Sequence, residues 1–146
     1  MQTTIYDPKK VTVTVANQVV TGFSDDGIIT IARNSDSITP YIGVRGEHAY
    51  SINHDNTGTI TVSLQQGSPW EAKFQTLKNN RSVFNINIVD SNGRGNGFTG
   101  GGTEAIIMQE PELVRAGEVQ TSTWSIYVFD LTLVRKYTDT QAESLA

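Results

Sequence analysis

Between Thr57 and Gln65 apolar and polar residues alternate without a break. Thr57, Thr59, Thr61, Ser63 and Gln65 fall on one side, and Ile60, Val62 and Leu64 on the other. A period of two is that of a strand with one buried face. The pattern stops at Gly67 and a helical one begins. Ser68 has the chemistry of an N-cap, Pro69 suits the first helical position, and Glu71 stands where a capping box places its acid. Trp70, Phe74 and Leu77 then recur at i, i+4 and i+7, one apolar stripe of a helix over about residues 68–79.

The same two-residue alternation predicts further strands. Val11, Val13 and Val15 alternate with Thr12 and Thr14, and Asn17-Gln18 turns the chain into a return strand at Val19–Phe23. Ser24–Gly27 reads as a turn and Ile28–Arg33 as a third strand. Asn34–Pro40 is expected to be loop. Tyr41–Val44 and Glu47–Ile52 are short strands about the turn Arg45-Gly46, and Asn53–Asn56 is a second turn. After the helix, Phe84, Ile86 and Ile88 give Ser82–Asp90 an apolar face opposite Val83, Asn85 and Asn87. Ser91–Gly102 is expected to be a glycine-rich loop, and Thr103–Gln109 a strand ended by Glu110-Pro111. Glu112–Gln120 is a connection or a short strand. Thr121–Val134 is the longest strand signal, with Trp124, Ile126 and Val128 on one face and Tyr127, Phe129, Leu131 and Leu133 on the other. From Tyr137 the chain is polar to its end. Short strands at regular spacing with one helix predict a mainly β single domain, a sandwich or small barrel.

Composition removes several kinds of chemistry. The 146 residues include no cysteine, which excludes disulfides, thiolate zinc sites and cysteine nucleophiles. No apolar run approaches the roughly 18 residues of a membrane span, and the N-terminus lacks a basic-then-apolar signal peptide. The net charge is −4, with 11 scattered Lys and Arg, so a basic face for gripping nucleic acid is missing. The two histidines, His48 and His54, sit beside Glu47 and Asp55 without metal-ligand spacing, so no metal site and no cofactor are expected. The glycines of 93–102 precede neither a Lys-Ser nor a Lys-Thr pair and open no helix, so they are not a phosphate loop. Asp25, Asp26 and Asp36 lie in turns, where aspartate is expected for backbone reasons. With no nucleophile elbow either, the chain does not read as an enzyme.

The polar strand faces are less ordinary. Thr12 and Thr14, then Thr57, Thr59, Thr61, Ser63 and Gln65, then Asn85 and Asn87, then Thr121, Thr123 and Ser125 carry hydroxyls and amides rather than charges. A sheet face open to water ordinarily carries Lys and Glu, which guard against stray pairing. Uncharged faces of this length suit packing against other subunits or lining an enclosed wet space. The competing account is the simple β-propensity of threonine, which explains the Asn and Gln less well.

Read together, these stretches resemble the tail tube proteins of contractile-tailed bacteriophages. The resemblance is carried by Tyr6–Thr12, by Gly22–Gly27 leading to Ile31–Asp36, and by Gly43 with Gly46-Glu47. It continues through Asn53 and Gly58–Leu64, Gln66–Pro69 at the helix start, and Trp124–Ile126 with Phe129–Leu131. The glycine-rich loop at 91–102 and the polar tail from 137 depart from that pattern. The resemblance implies a structural virion protein. Members form hexameric rings whose sheets join into a barrel around a channel, with the helix outside. The rings stack into the inner tail tube, within a sheath, and DNA leaves through it.

On this resemblance the implied partners are further copies of the chain, the sheath, baseplate and terminator proteins, and DNA in transit. Assembly is expected in the host cytoplasm and residence in the phage tail. Arg33, Asp36, Arg45 and Glu47 flank a segment of the kind that reaches a neighbouring ring, and are expected to make subunit or ring contacts. The polar set Thr57, Thr59, Thr61, Ser63, Gln65, Thr121, Thr123 and Ser125 is expected to face the lumen or a ring contact. Two rival readings stand beside this one. A tail terminator, baseplate hub or secretion-system tube shares the fold. A carbohydrate-binding β-sandwich would use Trp70, Trp124, Tyr41, Tyr50 and Tyr127 as stacking rings, although both tryptophans fall on apolar faces.

Overall fold

The computed structural model describes residues 8–23, 29–92 and 97–135. The turn at Ser24–Gly27, residues 93–96 of the glycine-rich stretch and the polar tail lie outside the described residues. A short 3-10 turn at Pro8–Lys10 leads into β1 (Val11–Val15), β2 (Gln18–Val19) and β3 (Ile29–Arg33). β4 (Ile38–Ile42) and β5 (His48–Ile52) precede β6 (Gly58–Gln65), the helix α1 (Pro69–Asn79) and β7 (Phe84–Asp90). β8 (Phe98–Gln109), β9 (Thr121–Val128) and β10 (Thr132–Arg135) complete the set. All strand pairs are antiparallel. The main sheet runs β2-β1-β7-β8-β9-β6-β3, with β10 also on β8, while β4 and β5 form a separate two-stranded sheet.

The main sheet rolls so far that one short segment joins its two edges. Leaving β2, Val20 donates to Val13 on β1 at one edge. Two residues later Gly22 accepts from Gln65 on β6, and Phe23 bridges Leu64 at the other edge. Side chains pointing inward fill the roll. Val13, Val15, Ile60, Val62, Leu64, Ile88, Ile126 and Val128 are fully buried there. On β3, Ile31 reaches across to Gly100 on β8. The chain is thus mainly β, with one short helix packed on its sheet, as the sequence pattern predicts.

The helix begins as its local chemistry dictates. Ser68 is extended, and its hydroxyl accepts from the Trp70 amide at 3.3 Å. The same hydroxyl donates to the Thr21 carbonyl at 2.9 Å, tying the helix start to the closing segment. The Ser68 amide donates to Gln65, so Glu71 does not close a capping box. Trp70 and Phe74 are buried, Leu77 half-buried, and the rings of Trp70, Phe74 and Trp124 pack in sequence at a tilt, with centroids 5.6 and 5.5 Å apart. Both tryptophans are therefore core residues, which removes them as carbohydrate platforms. The Trp70 indole donates to Val19.

Five expectations are corrected. The return strand ends at Val19 rather than Phe23, because the chain turns at Gly22 (φ +77°), where a Cβ would collide with Ser68. Ile38–Pro40 belongs to β4 and not to a loop. Proline is tolerated there because β4 pairs on one side only, with β5. The strand after the helix begins at Phe84 rather than Ser82. Phe98–Gly102 is strand, with β7 on one flank and β10 on the other. Its glycines answer crowding: a Cβ on Gly101 would lie 2.1 Å from the Ile86 carbonyl oxygen. Finally, the long strand signal from Thr121 breaks at Phe129–Leu131 into β9 and β10. Glu112–Gln120 is a connection without strand.

Candidate assembly surfaces

The outward face of the roll gathers the polar residues that lie far apart in the chain. β6 and β9 are neighbours, in a register that pairs Thr61 with Ser125, Ser63 with Thr123 and Gln65 with Thr121. Ser63 and Thr123 share a hydroxyl–hydroxyl hydrogen bond of 3.3 Å. Thr59 pairs with Tyr127, which stands edge-on to Phe129 at 5.0 Å. Neither strand contains a charged residue. Thr30 of β3 extends the face on one side, opposite Thr61. Across β8, Asn85 and Asn87 alternate with the buried Ile86 and Ile88, and Thr14 of β1 lies opposite Asn87. Five strands (β1, β3, β6, β7 and β9) thus turn uncharged polar residues outward, with Ile106 and the exposed Glu104 of β8 between them.

Two further members of the predicted set, Thr57 and Thr59, also have side-chain partners within the chain. The Thr57 hydroxyl accepts from the Asn34 amide group at 3.1 Å, and the Thr59 hydroxyl donates to the same side chain at 2.9 Å. They fasten the start of β6 to the segment leaving β3. Asp55 supports this corner. Hydrogen bonds from the Thr57 backbone, the Thr57 hydroxyl and the Ser35 hydroxyl hold its carboxyl below the usual aspartate range.

The second surface is an arm. β4 and β5 pair only with each other, and every residue of both strands is exposed. The register places Ile38 opposite Ile52, Pro40 opposite Tyr50 and Ile42 opposite His48. Since side chains alternate, these six share one face, and Thr39, Tyr41, Ala49 and Ser51 share the other. Ile38, Ile42, Tyr50 and Ile52 are each more than half exposed.

The four charged residues predicted to make contacts divide between the ends of this arm. Asp36 is exposed at its base. At the tip, the Glu47 carboxylate accepts from the Arg45 amide at 3.1 Å, and Gly46 takes a φ of +87° to close the turn. Arg33 is committed inside the chain. Its guanidinium donates to the carbonyls of Leu131 at 2.6 Å and Asn56 at 3.2 Å, joining the arm base to the β9–β10 bend. The sequence pattern missed the apolar arm face, because Pro40 interrupted the run it belongs to.

A third cluster also escaped the sequence. At the β9–β10 bend, the Asp130 carboxylate accepts from the Thr103 hydroxyl at 2.6 Å and from the Thr103 and Glu104 amides at 3.1 Å. The Thr103 hydroxyl is the largest influence holding that carboxyl below the usual range. This acid fixes the bend. Among the described residues, no group of three or more His, Asp or Glu is placed to hold a metal ion. No described helix is long and apolar enough to cross a membrane.

Comparison with known proteins extends this picture. No family model matches the chain. The structural protein ORF10 of Pseudomonas phage KPP10 is 27% identical over 144 residues, covering 90% of this chain and 82% of that protein. The sheath/tube terminator of the extracellular contractile injection system PVC superposes with a TM-score of 0.60 at 13% identity, over 86% of this chain and 93% of the other. A chain of the sheath-tube complex of that system superposes with a TM-score of 0.59 at 12% identity, over 87% and 89%. In fold, the chain is similar to chains of the terminator and sheath-tube structures of a contractile injection system, in line with the resemblance in its sequence, and it has a phage structural protein as a sequence relative.

Proposed function

We propose that this chain is a structural component of a phage tail, the subunit of the inner tail tube. Copies close into hexameric rings, the rings stack, and the genome passes through the channel they enclose. The reading is carried above all by the arm, a fifteen-residue hairpin (38–52) whose two faces are both left open by its own chain. A monomer gains nothing from exposing Ile38, Ile42, Tyr50 and Ile52 together, whereas a repeating assembly buries them. Arg45, Glu47 and Asp36 make the contacts at the two ends of the arm. The uncharged outer face of β6 and β9 lines the lumen or a ring contact. A net charge of −4 keeps a passing phosphate backbone from sticking.

The sheath, baseplate and terminator are the outer partners on this reading. The protein assembles in the host cytoplasm and ends in the virion, as a non-catalytic part. A second reading has its own observation: one superposing structure is itself a terminator. A terminator stops after a ring or two, while a tube subunit stacks without limit.

Negative-stain electron microscopy across a concentration series separates the two. Long hollow tubes of uniform width are expected, and isolated rings at every concentration would transfer the assignment to a terminator. Arg45→Glu reverses the charge at the arm tip and is expected to shorten or abolish the tubes. Tubes of parental length from that variant would remove Arg45 from the contact.

A further inference from the structure

Beside the first turns of α1 lies a notch of about 130 Å³. Glu71 and Gln75, one turn apart on the helix, form one wall. Glu110–Leu113, where the chain leaves β8, form the other, and Ser122 and Trp124 of β9 complete the lining. The two walls are fastened to each other, because Lys78 of α1 pairs with Glu110 at 3.2 Å. The lining belongs neither to the arm nor to the outward face of β6 and β9.

Two independent observations mark this notch. Trp124 is 3% exposed, and its indole N–H is buried with no acceptor among the described residues. A buried donor without an acceptor is costly and uncommon. The other indole, that of Trp70, has its acceptor in the Val19 carbonyl at 3.2 Å. The second observation is charge. Glu110 is engaged by Lys78, while Glu71 and Glu112 have no side-chain partner among the described residues. The helix dipole accounts for an acid in the first turn at Glu71, but not for Glu112 across the notch.

We infer that this notch receives a cationic side chain, arginine or lysine, from an extended segment of a different protein, and that a backbone carbonyl of that segment accepts from the Trp124 indole N–H. The inference goes beyond the tube reading and does not depend on it. The chemistry of the lining sets the ligand class. The carboxylates attract a guanidinium or an ammonium group, but the indole requires an acceptor, which such a group lacks. A peptide backbone supplies that acceptor next to the cation.

Size and charge narrow the occupant further. The notch has room for the end of one side chain and lies well below the roughly 300 Å³ at which small-molecule pockets begin. Its 110–113 wall belongs to no helix or strand, and Glu112 and Leu113 are exposed, so that wall can yield to admit the carbonyl. Charge favours a different protein over a second copy. The chain carries 15 Asp and Glu against 11 Lys and Arg. Arg33, Lys73, Lys78 and Arg115 are already held at partners of their own. An acidic notch on an acidic chain is complementary to a basic partner.

The test follows the two indole N–H signals in proton–nitrogen NMR spectra of the full chain, below the concentration at which it assembles. The probes are acetylated and amidated Ala-Ala-Xaa-Ala-Ala peptides, with Arg, Lys, Gln or Glu at the centre. Trp70→Phe assigns the two signals. The Arg and Lys peptides are expected to move the Trp124 signal downfield to saturation and to leave that of Trp70 in place, while the Gln and Glu peptides move neither. Glu71→Gln is expected to weaken the Arg peptide about two- to fivefold, and Glu71→Gln combined with Glu112→Gln about tenfold. Glu118→Gln, an exposed acid of the same connection outside the notch, is expected to bind like the parent. Circular dichroism checks that each variant is folded. A Trp124 signal that no peptide moves would overturn the site and leave the indole to water alone. Equal shifts from the Arg and Glu peptides would overturn the choice of a cation. A Trp124 signal that moves with protein concentration in the absence of peptide would overturn the different protein in favour of a second copy.

Discussion

Phe74→Ala tests how the helix is held to the sheet. Phe74 has no exposed surface and sits between Trp70 and Trp124, with ring centroids 5.6 and 5.5 Å away. Truncation removes a whole ring and leaves a cavity that two rigid indoles collapse into poorly. Phe→Ala changes in such sites cost about 3–5 kcal/mol, in which the lost aromatic pairs count for about 0.5–1.5 each. At about 2–4 °C per kcal/mol for a chain of this size, the midpoint of melting falls by about 10 °C. The assay is urea unfolding at a concentration below assembly, followed by tryptophan fluorescence. The chain's two tryptophans are the two rings against Phe74, so the signal reports the perturbed site. Phe129, 46% exposed, is the control, and Phe129→Ala is expected to cost well under half as much. A loss below about 1 kcal/mol for Phe74→Ala would refute the reasoning, because a fully buried ring whose removal costs so little is not holding the helix.

Two further outcomes follow from the strands around the bend. Gly101→Val places a Cβ 2.1 Å from the Ile86 carbonyl oxygen and 2.9 Å from the Asn87 Cα, at a φ of +139°. β7 and β8 must then separate, so loss of the cooperative melt or of soluble protein is expected, while Gly117→Ala, with nothing within 4 Å, is expected to melt like the parent. Asp130 has its carboxyl held below the ordinary value of 3.8, first by the Thr103 hydroxyl. A depressed folded-state value contributes stability that is present above 3.8 and lost as pH falls through the folded value. Urea unfolding at pH 5 and pH 3 should therefore show Asp130→Asn losing less stability on acidification than the parent, and equal acid losses would exclude Asp130 as a source.

Local chemistry made much of this fold legible in the sequence. The strict alternation over Thr57–Gln65 specified β6 and its buried face, and Ile60, Val62 and Leu64 are each fully buried. Ser68 and Pro69 marked the helix start, and the Trp70–Phe74 stripe its inner face. Such signals are local because a strand's period and a helix's cap are properties of adjacent residues. The uncharged faces of β6 and β9 were also readable separately.

Tertiary structure alone decided what those pieces meet. It paired Ser63 with Thr123 across sixty residues, turning two polar faces into one surface. It made strand of Phe98–Gly102, because glycine there serves close strand approach, which looks in sequence like the glycine of a flexible loop. It bent the last long strand at Asp130, whose partners Thr103 and Glu104 lie on another strand. It also drew Arg33 inward to Leu131 while leaving Arg45 at the arm tip, a distinction between two similar charges that depends on which carbonyls the fold brings near. Residues far apart in the chain set each of these outcomes, so no window of adjacent residues contains them.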